Sequence, residues 1–325
     1  SLRNARLRSM RIAWILPGGG DPGGEYRVIP CLLWLLERVA RHHDVHVVAL
    51  YQDPCPSRYR LLGATVDNIG RPWTRLRTLP AIVAEHRRSP FDVFHAFWAA
   101  PAGVLAVAAG RVLRRPVVLH LGGGEVISLP EIAYGGLRTA RGRLWVRLAL
   151  GGATRVTAAS RPMLDRVTAL GFQAERLPLG VDLERWPPRE PSARDPDAPA
   201  RLLHVGSLNA VKDHRTLMRS TVLLAQQGVR FHLDIVGEDT LRGAIQSLAS
   251  ELSVAPYVTF HGFLPHAKLR PLFERADLLL VTSRHEAGPL VALEAAVAGV
   301  PTVGTAVGHL CEWACEAAVT VGVGD

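Results

Sequence analysis

Short apolar runs bounded by turn residues alternate with longer helical stretches along the chain, and one proline-rich stretch interrupts the alternation. Strands that alternate with helices run parallel, because each helix carries the chain back over a face of the sheet. In the first half the predicted strands are Ile12–Leu16, Val45–Leu50, Val93–Phe97, Val117–Leu121 and Val156–Ala159. Predicted helices lie at Tyr26–Arg41, Pro80–Arg88, Pro101–Leu113 and Pro162–Leu170. The interruption runs from Trp186 to Pro199 and carries five prolines among charged and small residues, so it packs neither as helix nor as central strand. The pattern then restarts, with strands predicted at Leu202–Gly206, His232–Val236, Val258–His261, Leu278–Val281 and Thr302–Val303. Helices are predicted at Asp213–Gln227, Leu241–Leu252, Ala267–Arg275 and Pro289–Ala298. The reading is an α/β chain of two doubly wound domains, 10–185 and 201–325, joined by a linker at 186–200. Ligands of such folds bind outside the carboxyl ends of the strands, so the expected site is a cleft lined by those ends.

The strongest local signal is Ser283-Arg284-His285-Glu286-Ala287-Gly288-Pro289-Leu290-Val291-Ala292-Leu293-Glu294-Ala295. A strand ends at Ser283 and Pro289 then opens a helix, whose first free N–H groups suit a phosphate. The amides of Gly288, Leu290 and Val291, together with Pro289, form the expected anion cradle. Glu286 precedes the helix and Glu294 lies within it, about 12 Å further along at a helical rise. Two acids so placed can accept hydroxyl hydrogen bonds from opposite ends of an extended polar ligand. Glu294 sits in an otherwise apolar run, where a carboxylate is costly unless something bonds to it.

Lys212 is the second signal. The chain has two lysines, Lys212 and Lys268, and otherwise uses arginine. Lys212 stands where a helix begins, against the dipole, a placement that an anion shared at that helix end would offset. A compact ammonium is a suitable partner for phosphate. The turn Gly18-Gly19-Gly20-Asp21-Pro22-Gly23-Gly24 follows the first strand and matches G-x-G-x-x-G, with Asp53 after the second strand. This supports a runner-up reading, an NAD-type dinucleotide-dependent oxidoreductase using Gly18, Gly20, Gly23 and Asp53. His95 and His120 fall at the carboxyl ends of their strands, towards the expected cleft, and Gly122-Gly123-Gly124-Glu125 follows the second of them. Each histidine reads equally as structural.

Composition narrows the classes. With 48% hydrophobic and 21% charged residues the chain is an ordinary globular one, without the roughly 18 uninterrupted apolar residues of a membrane-spanning helix. Ser1–Ser9 carries arginines but no apolar h-region follows it, so no secretory signal is expected there. Cys31, Cys55, Cys311 and Cys315 have no zinc or disulfide spacing, which fits a reduced, cytoplasmic compartment and no metal. The net charge of +9 admits nucleic acid, an anionic membrane or a phosphorylated substrate. Few aromatics interleave the basic residues, so nucleic acid is not expected. Arg138, Arg141, Arg143 and Arg147, among Leu137, Leu144, Trp145, Val146 and Leu148, form a basic amphipathic stretch. It suits peripheral contact with an anionic inner-membrane face, and equally a helix with one solvated side.

Taken together, Glu286 and Glu294 in E-x7-E spacing, Gly206-Ser207-Leu208 through Lys212-Asp213, Gly180-Val181-Asp182, Ile235-Val236-Gly237, Val258–Phe263, Ala276-Asp277 and Ala298-Gly299-Val300-Pro301 resemble glycosyltransferase family 4. In the first half, Asp92–Ala96 and Gly123-Gly124-Glu125 are similar to it as well. The resemblance implies a GT-B fold and a retaining transfer of a hexosyl unit from a UDP- or GDP-sugar to a glycan, lipid-linked or small-molecule acceptor. It implies no cofactor beyond that nucleotide-sugar co-substrate. By resemblance Glu294 holds the ribose hydroxyls, Glu286 holds sugar hydroxyls, and Lys212 with the Gly288–Val291 amides neutralises the departing diphosphate. Gly206 and Ser207 would border the donor, and the Gly18–Gly24 turn, through Gly19 and Gly20, would face it from the other domain. The sequence departs from the family at Ser207, where an arginine is frequent, and at Phe97, where a histidine is frequent. Those departures motivate a third reading, a degenerate transferase that binds a nucleotide sugar without turnover. Such folds commonly end in a helix that crosses back to brace the first domain, and no such helix is read before Asp325, so truncation of the second domain at its end stays open.

Overall fold

A computed structural model describes residues 8–71, 74–191, 194–314 and 317–325. The beginning of the Ser1–Ser9 stretch, Ser192 and Ala193 of the expected linker, and Cys315 lie outside the described residues. No helix among the described residues is long and apolar enough to cross a membrane. The chain divides into two units, one running to Ala159 and including Met163–Pro178, the other formed by Ser160–Pro162 and Leu179–Asp325.

In the first unit the elements are β1 Arg11–Leu16, α1 Pro30–Ala40, β2 Asp44–Ala49, β3 Ser57–Leu61, β4 Ala64–Asn68, α2 Thr74–Arg88 and β5 Val93–Phe97. After a π-turn at Ala99–Gly103 come α3 Val104–Leu113, β6 Val117–Leu121, α4 Ala140–Gly152, β7 Arg155–Ala158, α5 Arg161–Ala169, which joins this unit from Met163 on, and β8 Glu175–Arg176. The strands form one sheet in the order β3-β4-β2-β1-β5-β6-β7-β8, parallel except for the β3–β4 hairpin. Trp14 of β1 lies opposite Val47 and His95 in the two flanking strands, and Trp14, Phe91, Phe94 and Phe97 fill the core. The hairpin turns at Leu62 and Gly63, both at positive φ, the geometry that joins two twisted strands in two residues. Its outer strand carries exposed Arg58 and Arg60, so it lacks an apolar signature and was not among the predicted strands. The helix predicted from Tyr26 begins at Pro30, in the first helical turn where proline's missing N–H is harmless.

The second unit contains β9 Ala200–Val205, α6 His214–Gln226, β10 Phe231–Val236, α7 Ala244–Glu251, β11 Val258–Gly262, α8 Arg270–Arg275, β12 Leu278–Val281, α9 Leu290–Val297, β13 Thr302–Thr305 and β14 Ala318–Val321. All its strands are parallel, in the order β11-β10-β9-β12-β13-β14. The order reverses between β9 and β12, where successive helices leave in opposite directions and the backbone opens at the strand ends.

The expected linker is only partly a linker. Trp186 is 2% exposed within the core of the second unit, its indole 5.5 Å from the Phe273 ring. The Arg189 amide donates to the Val297 carbonyl at 2.9 Å, its guanidinium to Glu274 O at 2.6 Å, and Arg270 donates to Pro187 O at 3.0 Å. A large apolar ring at the start of the segment draws the following prolines onto α8 and α9, so the segment belongs to the second unit, whose main run is Leu179–Asp325. Prolines have no N–H to leave unsatisfied in such a strap.

Candidate active site

The site of the second unit is assembled at the reversal point from the loops that follow β9 and β12. Asn209 caps a single 3-10 turn, Ala210–Lys212, by accepting the Lys212 amide at 3.2 Å. Asp213, at φ 49, then caps α6 by accepting the Thr216 amide at 3.3 Å. The β12 loop clamps this turn: Thr282 Oγ1 donates to Lys212 O at 2.9 Å, the Arg284 amide to Val211 O at 2.8 Å, and Arg284 Nε to Asp213 at 3.0 Å. Lys212 therefore projects from a fixed base. Its stem lies over Gly206, where a Cβ would come 3.1 Å from Lys212 Cε and 3.6 Å from Nζ.

The Lys212 ammonium donates to Glu286 Oε1 at 2.6 Å, and Ser283 Oγ donates to the same oxygen at 2.7 Å. Both partners are mostly buried. Burial pushes the Glu286 carboxyl upward, but the Lys212 charge, its hydrogen bond and that of Ser283 override it and hold the group below the ordinary carboxylate range. Gly308, at φ 53, backs this loop, since a Cβ there would lie 2.8 Å from Pro289 Cδ and 3.2 Å from Glu286 O. Pro289 offers no side-chain cap to α9, which leaves the N–H groups of its first turn available to a ligand. Glu294, on α9, is buried and receives His266 Nε2 at 2.7 Å, with the Trp186 ring packed 4.7 Å from the His266 ring.

Lys212, Glu286 and Gly206 are thus brought together, and Glu294 stands on the helix that their loop leads into. Three neighbours were not assigned from sequence. His204 and His214 pack edge to face at 4.7 Å, with His204 bonded to Leu280 O at 2.9 Å. Burial keeps both uncharged, His214 lowered to about 4 and His204 well below its usual value. Arg284 is the third, a second cation in the Glu286 loop.

The remaining expected residues belong to the first unit. Gln52 Oε1 receives the Gly19 and Gly20 amides at 2.6 and 3.1 Å, and Tyr59 bonds to the Gly20 carbonyl. Asp53 pairs with Arg27 at 3.2 Å. A dinucleotide fingerprint needs its glycines to open directly into a helix, yet α1 starts only at Pro30, preceded by Ile29, which gives it no side-chain cap. The G-x-G-x-x-G match is therefore a turn satisfied by Gln52, which corrects the oxidoreductase reading. His95 is half-buried between Trp14 and Phe97, with ring distances of 5.7 and 4.4 Å, and burial followed by the neighbouring His120 lowers it to about 3. His120 is buried, bonds Thr157 Oγ1 through Nδ1 at 2.9 Å, leaves Nε2 without a partner among the described residues and is lowered by burial to about 4. Beyond it, Glu125 receives the Gly122 and Gly123 amides at 3.2 and 2.8 Å, and its burial raises it despite those bonds.

Among the described residues, one cluster has metal-ligand donors, His46, Asp67 and Glu85. Arg58 bonds both carboxylates and Arg11 bonds Glu85 at 2.8 Å, so the carboxylate oxygens already serve guanidinium groups. It is an ion-pair network across β2, β3, β4 and α2.

Comparison with known proteins agrees with this architecture. The family described as Glycosyl transferases group 1 matches residues 189–322, and the Glycosyl transferase 4-like domain matches residues 28–180. A putative glycosyltransferase EpsF of Bacillus subtilis is 27% identical over 270 residues, covering 77% of this chain and 68% of that one. A D-inositol 3-phosphate glycosyltransferase of Frankia alni is 28% identical over 331 residues, covering 90% of this chain and 80% of that one. A glycogen synthase of Mycobacterium tuberculosis is 37% identical over 134 residues, 41% of this chain but 32% of its own length. Among solved structures, sucrose-phosphate synthase from Thermosynechococcus elongatus superposes with TM-score 0.79 at 19% identity, covering 97% of this chain and 86% of that one. Anabaena HepE in complex with UDP-glucose gives 0.71 at 19% identity, with the same coverages. These structures share the GT-B fold of two Rossmann-like domains.

Proposed function

The chain belongs to the family 4-type glycosyltransferases, and on that premise we propose that it moves a hexosyl unit from a UDP- or GDP-sugar to a glycan, lipid-linked or small-molecule acceptor with retention at the anomeric carbon. The observation that carries this reading is the Lys212–Glu286 pair, 2.6 Å long, at the reversal point of the second sheet and just ahead of α9. A cation beside open helix N–H groups is a diphosphate site, and an adjacent acid is a hydroxyl site. The bound UDP-glucose of HepE supports a nucleotide sugar as the ligand class.

In the proposed complex the diphosphate takes Lys212 from Glu286, along the bare backbone at Gly206 and Ser207. The freed Glu286 carboxylate, still held by Ser283, accepts hydrogen bonds from the sugar hydroxyls. Glu294 accepts the ribose hydroxyls from its position within α9. As the bond from the anomeric carbon to the diphosphate oxygen breaks, negative charge gathers on that oxygen. Lys212 and the Gly288, Leu290 and Val291 amides meet it in a preorganised array, the arrangement that usually supplies the largest catalytic contribution. The acceptor oxygen bonds to the same face of the sugar and its proton leaves with the diphosphate. The neutral His204 and His214 keep competing positive charge away from the base of Lys212. In the first unit His95 and His120 are the acceptor-side candidates, His120 through its open Nε2. Gly19 and Gly20 would serve the donor by close backbone approach, since Gln52 occupies their amides.

The experiment is to incubate the protein with UDP- and GDP-hexoses and candidate acceptors, following nucleoside diphosphate release and product anomer by NMR. Product of unchanged anomeric configuration supports the reading. An inverted product defeats the retaining assignment, and donor binding without turnover on any acceptor favours the degenerate binder.

A further inference from the structure

α4 carries an unusual outward face. Val146, Ala149 and Leu150 pack inward, while Leu144 is 56% and Leu148 40% exposed. Helical spacing sets these two leucines one above the other, with Arg147 beside them on one flank and Arg141 on the other. Arg138 and Arg143 extend the positive charge at the start of the helix, and all four arginines are exposed. Arg143 is tethered to Leu137 O at 3.1 Å, and none of the four forms an ion pair among the described residues. No acid occupies the first turn, so Arg141 and Arg143 stand against the helix dipole. Alongside lies an apolar cavity of about 320 Å³ lined by Ala100, Pro101, Val104, Leu105 and Trp145. Its lining is exposed at Ala100 and half-buried at the other four residues, so it opens onto the surface.

We propose that this face of α4 docks onto an anionic phospholipid bilayer. Leu144 and Leu148 would enter the headgroup boundary, the arginines would meet the lipid phosphates, and Trp145 would sit beside the apolar cavity at headgroup level. Each part of the face conflicts with the needs of the folded chain alone: leucines in water, cations at a helix N-terminus, and an apolar cavity open to solvent. A bilayer with negative headgroups resolves all three. A nucleic acid would satisfy the arginines and leave the leucines and the cavity unexplained. The surface is independent of the donor site, which lies on the second unit.

The test is co-sedimentation of the full chain with vesicles of pure phosphatidylcholine and of phosphatidylcholine mixed with phosphatidylglycerol. Three variants accompany it: Arg141→Gln/Arg147→Gln, Leu144→Ser/Leu148→Ser, and Arg87→Gln/Arg88→Gln as a charge-matched control on exposed residues of α2. Binding only to the anionic vesicles is expected, with a loss of about fivefold for each arginine removed from α4. The leucine pair should also lower binding, and the control should bind like the native chain. Equal binding to both vesicle types, no binding, or equal losses in the α4 and control variants would overturn the proposal. Nucleoside diphosphate binding, measured on the same variants, stays unchanged, so failure here leaves the transferase reading intact and failure there leaves this one.

Discussion

Lys212 and Glu286 lie 74 residues apart in sequence and meet at 2.6 Å, both mostly buried, with the carboxylate oxygen shared by Ser283. In the proposed complex the donor would replace each partner of this pair. A phosphate would take the ammonium from the carboxylate, and sugar hydroxyls would take the carboxylate from the ammonium.

That arrangement has a thermodynamic signature. Lys212→Met leaves a buried carboxylate without its cation and should destabilise the protein by about 3 kcal/mol, whereas Lys212→Met/Glu286→Gln should lose much less. Urea denaturation of the single and double variants gives the coupling directly. Glu286 is held below its ordinary value, so the pair's stabilisation is complete above pH 4.5 and is lost as the pH falls through the folded value. Additive losses at neutral pH would contradict the coupling.

Buried histidines set a second, higher pH window. Burial lowers His120 and His214 to about 4 from 6.5 and holds His204 well below its usual value. Unfolding exposes them to protonation, so above pH 6.5 they add no pH dependence, and below it the unfolded chain binds protons that the folded one refuses. Stability should fall by up to about 1.4 kcal/mol per pH unit per histidine between roughly pH 6.5 and roughly pH 4. Denaturant midpoints measured across that range check the slope, and His214→Asn should flatten it. A constant midpoint would show that these side chains are solvated.

Trp186→Ala should destabilise the second unit by about 3–5 kcal/mol, the usual cost of emptying a buried aromatic site. Urea unfolding followed by circular dichroism measures it. A change within about 0.5 kcal/mol, as at an ordinary surface position, would mean that 186–191 is a free tether.

Much of this fold is legible in sequence because parallel strands buried on both faces are written as apolar runs. Val93–Phe97, Val117–Leu121 and Leu278–Val281 have the predicted bounds. The β3–β4 hairpin is not legible, since an edge strand such as Arg58-Tyr59-Arg60 needs only one apolar side. Trp186 was read with its prolines as linker because composition does not show that a neighbouring core has room for an indole. In the site, Lys212 and Glu286 were singled out by scarcity and by position before a helix. Their contact was not foreseen, because it depends on β9 and β12 being neighbours. His204 looked like any strand residue, and only the packing of His214 against it makes it notable. Glu294 was singled out as an acid in an apolar run, but its partner His266 lies in a separate short turn before α8.

Gly206→Ala probes the path of the Lys212 stem. An added methyl would sit 3.1 Å from Lys212 Cε and displace the ammonium while leaving the strand intact. Nucleoside diphosphate affinity should fall about tenfold, equivalent to about 1.4 kcal/mol, with the melting temperature nearly unchanged. Unaltered affinity would place the diphosphate away from Lys212.

The most direct test of the donor site is calorimetric titration of the native protein and of Glu294→Ala with UDP, GDP and NAD, with circular dichroism confirming that the variant is folded. The account predicts that one nucleoside diphosphate binds the native chain and that Glu294→Ala weakens it at least tenfold, about 1.4 kcal/mol or more. Binding of NAD with neither diphosphate, or diphosphate binding that survives unchanged in Glu294→Ala, would contradict it.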